Sequence, residues 1–397
     1  KSYKKALELN PNYAEAYYNM GIAFKNMGSH VSAIDCYKKA LKIQPKYAEA
    51  NYNMGNALKF IGDLEAAIKS YKYAINNKPD FVEAYNNMGN TLTDMGDHVK
   101  AIETYFQAIK IRPNYPDTYK NMGFALKMVV FTEPNSDLNE IISSIIDQKN
   151  IIKPTDISRP AINLLKFDSA IKKLLEKCLS GEINESVESI VSDLSRNPLL
   201  LKLMSVCAIP DTQLEAAFRD IRYSLIKSVN KIKSSPDLLR FQTALALHCF
   251  TNEYVYYQND KETSLIKSLE TVIKDTLLKG EQPKPILVLC LASFKALYRY
   301  KWSDLLEITP TINDVVTRQI VEPKQENQLK SDLPTLQKIT NQISSKVRDQ
   351  YEYNPYPRWI NTGLSLKPVP FSEINKNLKL RLIDKRIIDI EAPNILI

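Results

Sequence analysis

The chain has 397 residues, 44% of them apolar and 25% charged, which is the make-up of a folded protein with room for two or three domains. A net charge of +8 at this length is mild, and residues 1–131 hold 17 Lys and Arg against 12 Asp and Glu, so +5 of it lies in the first third. No dense basic run with interleaved aromatics marks a nucleic-acid surface, and the longest apolar stretch, "PILVLCLASF" at 285–294, is too short to span a membrane. Cys36, Cys178, Cys207, Cys249 and Cys290 are scattered without a CxxC pair, which fits reduced thiols in a cytoplasm and neither disulfides nor zinc.

The first third is periodic. Gly21, Gly55, Gly89 and Gly123 stand 34 residues apart, as do Gly28, Gly62 and Gly96, and Pro11, Pro45, Pro79 and Pro113. In one period Tyr17, Met20, Gly21, Phe24, Ala33, Tyr37, Ala40 and Pro45 describe two helices. Small residues at Gly21 and Ala33 let those helices approach, Gly28 ends the first, and Pro45 closes the second. The pattern resembles the tetratricopeptide repeat (TPR) family, and the resemblance implies an α-solenoid of stacked helix pairs.

Three full repeats are expected at 14–47, 48–81 and 82–115, with the first helix of another at 116–127. Tyr3, Ala6 and Pro11 match the second helix of a repeat whose first helix is absent, so the chain reads as beginning inside a repeat.

In this family the first helix of each repeat, helix A, lines the concave face. Asn19, Asn53, Asn87 and Asn121 recur at one position of it, and Asn56 and Asn90 form a second row. An amide both donates and accepts, which suits the backbone of an extended peptide. These rows resemble the TPR arm of the O-linked N-acetylglucosamine transferases, and they are the candidate protein- or peptide-binding residues. Glu15, Glu49, Glu83 and Asp117 recur near helix N-termini, where they offset the macrodipole. Met20, Met54, Met88 and Met122 read as core, and His30 and His98 as solvated turn residues.

Residues 132–345 read as an all-helical domain without the period. Helical spacing is evident in 168–179, 187–196, 214–229 and 238–250, and Asn197-Pro198 opens a further apolar helix. "CFTNEYVYYQND" at 249–260 is the most distinctive word, and its tyrosines read first as packing residues. Only Gly181, Gly280 and Gly363 lie outside the repeats, so no glycine-rich loop for a phosphate or dinucleotide is present. No catalytic triad or metal-ligand set can be assembled.

Residues 346–397 read as a linker. Asn354-Pro355-Tyr356-Pro357-Arg358-Trp359 must be extended, and Pro393-Asn394 opens a short apolar run, Ile395-Leu396-Ile397. A TPR arm, "CFTNEYV", "QYEYNPYPRW" and "APNILI" together resemble the bacterial TPR-containing class I SAM-dependent methyltransferases. The resemblance implies that the last run is the truncated first strand of a Rossmann-like domain whose cofactor loop would follow it. It also implies that Tyr353, Tyr356, Arg358 and Trp359 lie beside substrate or cofactor in the complete enzyme. No cofactor is expected in this chain itself, S-adenosylmethionine being expected for the full-length parent, and the chain alone is not expected to be an enzyme. The expected fold is mostly α: a TPR solenoid over 1–131, the helical domain, and the extended lead-in. A non-enzymatic TPR adaptor is the alternative, followed by an O-GlcNAc-transferase-like glycosyltransferase. The expected partner is an extended protein segment, with neither membrane nor nucleic acid.

Overall fold

The computed structural model describes residues 2–148, 152–180 and 186–331, all helix and connecting turns with no strand among them. The expected linker and terminal strand lie outside the described residues. The chain opens with α1 (Ser2–Leu9). Three helix pairs follow: α2 (Ala14–Asn26) with α3 (His30–Ile43), α4 (Ala48–Phe60) with α5 (Leu64–Asn77), and α6 (Val82–Asp94) with α7 (His98–Ile111). Then comes α8 (Pro116–Lys127), the helix A of a fourth unit. Gly28, Gly62 and Gly96 end their A helices at φ 77°, 86° and 82°, a conformation that side chains resist.

Each pair is fastened by a glycine. A Cβ on Gly21 would sit 2.6 Å from the Tyr37 ring, and one on Gly55 would sit 2.7 Å from that of Tyr71. Gly89 meets Tyr105 in the same way. All three rings are fully buried. Each helix pair also packs on the next, so the apolar faces close into one solenoid.

The solenoid runs into the helical region without a break in its core. Gly123 of α8 meets Ile152, at the entry to α10 (Pro154–Leu165), where the repeats would place a tyrosine. Between these helices lies α9 (Ser136–Ile146), and α10 packs on α8 as a helix B would. One hydrophobic cluster extends from Ala33 to Ile320.

Then follow α11 (Ser169–Ser180), α12 (Val187–Ser195), α13 (Pro198–Val206), α14 (Thr212–Ser228), α15 (Pro236–Thr251), α16 (Asp260–Leu278) and α17 (Pro285–Ala292). Their starts carry strong signals. Proline occupies the first turn of α10, α13, α15 and α17. Asn197, Asp211 and Ser235 accept from backbone N–H groups at 3.0, 3.0 and 3.2 Å. Short 3₁₀ turns lead to α18 (Asn313–Val316), which passes through a π turn at Thr317–Val321 into α19 (Glu322–Ser331).

Buried α15 is the axle of this region, touching α12, α13, α17 and α18. The word "CFTNEYVYYQND" leaves its end through Glu253 and Tyr254, at φ 52° and 56°, and crosses to α16. Its task is to close the end of α17, whose last carbonyls are buried and have no helical partner. The Tyr254 hydroxyl and the Gln319 amide donate to the Ala292 carbonyl, each at 3.1 Å, and the Gln258 amide donates to that of Phe294 at 3.4 Å. The Arg222 guanidinium donates to the Ser293 carbonyl at 3.4 Å from between the rings of Phe294 and Tyr256. Its charge faces buried Glu262 at 3.7 Å. Tyr254 and Tyr256 point inward, while Val255 and Tyr257 between and after them are exposed.

Fully buried His248 joins this group, with the Tyr256 hydroxyl at 3.0 Å and the Asn252 amide at 3.1 Å from Nε2. Burial pushes its pKa from the ordinary 6.5 down to about 4. Above 6.5 the imidazole is neutral in the folded and unfolded chain, and it adds no pH dependence. Below 6.5 the unfolded chain takes up a proton that the folded one refuses, so stability falls until about pH 4. The expected outcome is that the urea midpoint of the wild type drops more steeply between about pH 7 and about pH 4.5 than that of His248→Gln. Parallel pH profiles for the two, followed by circular dichroism, would remove His248 from the account.

Candidate functional site

The A helices α2, α4, α6 and α8 lie side by side and carry both asparagine rows. All six predicted residues are half-buried. Five of them are part of an internal network that sequence periodicity did not reveal. The Asn53 amide donates to the Tyr18 hydroxyl at 3.0 Å, and the Asn87 amide to the Tyr52 hydroxyl at 3.0 Å, each reaching back one repeat. Asn121 reaches back in the same sense, to Asn86 Oδ1 at 3.2 Å, because Asn86 stands where Tyr18 and Tyr52 stand. Asn19, in the first repeat, makes no such bond among the described residues.

The second row is reached from beneath. The Tyr71 hydroxyl donates to Asn56 Oδ1 at 2.8 Å, and the Tyr105 hydroxyl to Asn90 Oδ1 at 2.7 Å. Asn56 Oδ1 also accepts from the Asn87 amide at 2.9 Å, which ties the rows together. Burial pushes the Tyr71 and Tyr105 hydroxyls up, the latter to about 12, so both remain donors at neutral pH. In the first repeat Ile22 replaces the asparagine, and the buried Tyr37 hydroxyl finds no partner.

These bonds leave defined groups on the surface. Asn56 Nδ2, Asn90 Nδ2 and Asn87 Oδ1 make no bond among the described residues, while their other ends are pinned. The face therefore offers fixed donors beside fixed acceptors. Lys25 Nζ adds a cation, held by Asn53 Oδ1 at 3.2 Å.

The acidic series has a role beyond the helix dipole. Glu49 pairs with Lys78 at 3.2 Å and Glu83 with Arg112 at 2.8 Å, joining helix A to the end of helix B. Burial raises the Glu83 pKa, but its hydrogen bonds, including that from Arg112, outweigh burial and hold the carboxyl below its usual range. The signal was available in the basic residues at 78 and 112, one period apart. His30 is also more engaged than a solvated turn residue, because its ring stacks on Phe60 with centroids 3.7 Å apart. The His30 and His98 Nδ1 atoms are buried without a partner.

Tyr353, Tyr356, Arg358 and Trp359 lie outside the described residues. No group of three or more His, Cys, Asp or Glu that could hold a metal ion occurs among the described residues. None of the described helices is long and apolar enough to cross a membrane.

Tetratricopeptide repeat models match residues 14–47, 82–115 and, in a shifted phase, 36–69, and a TPR repeat model matches 61–96. No curated protein matches the chain. Among solved structures, MamA is 26% identical, over 41% of this chain and 85% of its own, with a TM-score of 0.32. YrrB, a TPR protein with an unusual peptide-binding site, is 17% identical, over 47% of this chain and 94% of its own, with a TM-score of 0.34. A point mutant of the Thermobaculum terrenum O-GlcNAc transferase is 17% identical, over 34% of this chain and 26% of its own, with a TM-score of 0.29. Residues 14–115 are thus tetratricopeptide repeats.

The three equivalent tyrosines should respond differently to loss of their hydroxyls. Tyr71→Phe and Tyr105→Phe each remove a bond and should destabilise by about 1 kcal/mol, whereas Tyr37→Phe removes an unpaired buried hydroxyl and should be neutral or stabilising. Urea midpoints measure this, and equal losses at all three positions would contradict the hydrogen-bond assignment.

Proposed function

We propose that the A-helix face, the concave face of the solenoid, binds a protein segment in extended form. The observation that carries this reading is the half-satisfied asparagine network. Asn56 and Asn90 turn amide N–H groups outward, and Asn87 turns a carbonyl outward, each fixed by a bond at its other end. A peptide backbone presents the complementary carbonyls and N–H groups whatever its side chains. Because the amides are already ordered, binding loses less side-chain entropy than it would on a free surface. The partly open face is backed by a continuous core and does not have to form on binding.

The test is to pan a random linear dodecapeptide library against the whole chain and titrate recovered peptides by fluorescence anisotropy. Asn90→Ala combined with Tyr105→Phe removes one outward donor without stranding a hydroxyl. It should weaken binding about tenfold relative to Tyr105→Phe alone. Failure to recover any binding peptide, or equal affinity of the two variants, would overturn the reading.

A finer reading makes this region the substrate-recruiting, non-catalytic part of a class I SAM-dependent methyltransferase. Its support is the sequence resemblance at 249–255 and at 354–359, and the second word lies outside the described residues. On this reading the chain itself transfers nothing, and Tyr353, Tyr356, Arg358 and Trp359 lead into the cofactor domain. Calorimetric titration of S-adenosylmethionine is expected to show binding to a chain extended about 200 residues downstream and none to this one. No binding to either would leave a peptide-binding adaptor. Cys36, Cys207, Cys249 and Cys290 are buried free thiols, which fits placement in the reducing cytoplasm.

A further inference from the structure

The two faces of the solenoid treat their lysines differently. On the A helices Lys59 pairs with Asp94 at 2.9 Å and Lys127 with Asp156 at 2.7 Å. One period before that first pair Phe60 stands in place of Asp94, and Lys25 is held by Asn53 Oδ1 at 3.2 Å. The B helices carry lysines without such partners. Lys4, Lys38 and Lys72 stand one period apart at one position of α1, α3 and α5. Lys5 and Lys39 follow at the next position, and Lys42 and Lys69 lie one turn away on the same helices. All seven are exposed, and none has a carboxylate partner among the described residues. Against Glu8, Asp35 and Glu65 they leave these three helices with +4 of the +5 found in residues 1–131.

Because they recur one period apart, these lysines form no basic run in the sequence, and they gather only when the helix pairs stack. The helix dipole accounts for Lys42, in the last turn of α3. It does not account for Lys38, Lys39, Lys69 and Lys72, which lie away from their helix ends. An aromatic ring joins the row. At the position of Lys5 and Lys39, α5 has Tyr73, 51% exposed, with Lys69 and Lys72 on the same helix. An open ring among ammonium groups combines a stacking surface with charge, as single nucleic-acid strands require.

We propose that the outer face of α1, α3 and α5 binds a flexible single-stranded nucleic acid, with phosphates on the lysines and a base on Tyr73. The B helices form the convex side of the solenoid, opposite the A-helix face. A stiff duplex or a flat bilayer meets a convex surface over one or two helices, whereas a flexible strand follows it. An acidic polypeptide also follows it but has no base to place on Tyr73. Binding here is indifferent to base sequence, because lysine meets phosphate and a ring stacks on any base. It is independent of peptide binding on the A-helix face.

The experiment titrates the whole chain into fluorescein-labelled dodecathymidylate, followed by anisotropy between about 50 and about 200 mM salt. Each phosphate neutralised contributes about −0.7 to the slope of log affinity against log salt. Lys4→Gln, Lys38→Gln and Lys72→Gln together should therefore flatten the slope by about 2 and weaken binding at least about tenfold at low salt. Lys227→Gln, Lys231→Gln and Lys274→Gln remove the same charge from exposed lysines of the helical region and should change neither quantity. Tyr73→Ala should weaken the strand about tenfold and leave an oligoglutamate of equal charge unaffected. Circular dichroism confirms that each variant is folded. Equal losses from the two lysine triples would reduce the effect to net charge and overturn the assignment. Oligoglutamate bound as tightly as the strand, with both indifferent to Tyr73→Ala, would make the partner an acidic polypeptide and overturn it too. So would binding to phosphatidylglycerol vesicles without binding to the strand, or no binding of the strand at about 50 mM salt.

Discussion

The contact on which the rest of the repeat region depends is that between a helix A glycine and a helix B tyrosine. With no Cβ at Gly55, the Tyr71 ring lies directly under α4, closer than any other residue would permit. The ring's burial supplies the packing energy of the pair. Its length then does something further, because the hydroxyl emerges on the A-helix side and meets Asn56. Asn56 receives Asn87 from the next repeat, and Asn87 reaches Tyr52. A core contact therefore orders polar groups on the surface. Each bond is worth only about 1 kcal/mol, too little to hold the solenoid but enough to choose one amide orientation over another.

The same constraint governs the junction with the helical region. Gly123 repeats the close approach, but the group that fills it is Ile152, and α10 follows in the place of a helix B. An isoleucine has no hydroxyl to send through, so α8 receives packing without the polar extension. Beyond it, buried α17 creates a different demand. Its terminal carbonyls lie out of reach of water, and donors from Arg222, Tyr254, Gln258 and Gln319 meet that demand. The two left-handed residues at 253 and 254 are the backbone adjustment that lets the strap turn inward.

Much of this architecture was legible because a 34-residue period converts directly into helix pairs. The three repeats and the lone fourth A helix fall where spacing places them. In the middle, α11 to α15 were readable from apolar spacing and from prolines and caps at their starts. Helices α9, α10 and α16 were not identified, since "SDLNEIISSII" is short and α10 carries Pro160 in its interior. For the site, the asparagine rows were visible but their partners were not. A bond from Asn53 to Tyr18 spans 35 residues, and one from Tyr71 to Asn56 spans 15. Neither separation is special in a sequence until the repeat has been folded. The two Glu–Lys/Arg pairs span 29 residues, and their trace in the sequence is the basic residue that returns one period later, Lys78 and then Arg112.

Repetition separates what must stay constant from what is free to differ. Gly21, Gly55 and Gly89 stand over Tyr37, Tyr71 and Tyr105 in every repeat, so the backbones of α2, α4 and α6 follow one track. Along that track the residues turned to the A-helix side change: Tyr18, Tyr52 and Asn86; Ile22, Asn56 and Asn90; Lys25, Lys59 and Thr93; Asn26, Phe60 and Asp94. Because the geometry is fixed by the glycine contacts, each change alters chemistry at a known place without moving its neighbours. Ile22 makes the first position apolar, leaving the Tyr37 hydroxyl unpaired, a cost of about 1–3 kcal/mol that the packed ring can bear. Phe60 leaves a lysine open where Asp94 closes one. The result is a face that grades from cationic and apolar at its first repeat to neutral and amide-lined at its third. A uniform backbone with a graded surface can hold an extended chain in one direction and one register, which a uniform surface could not.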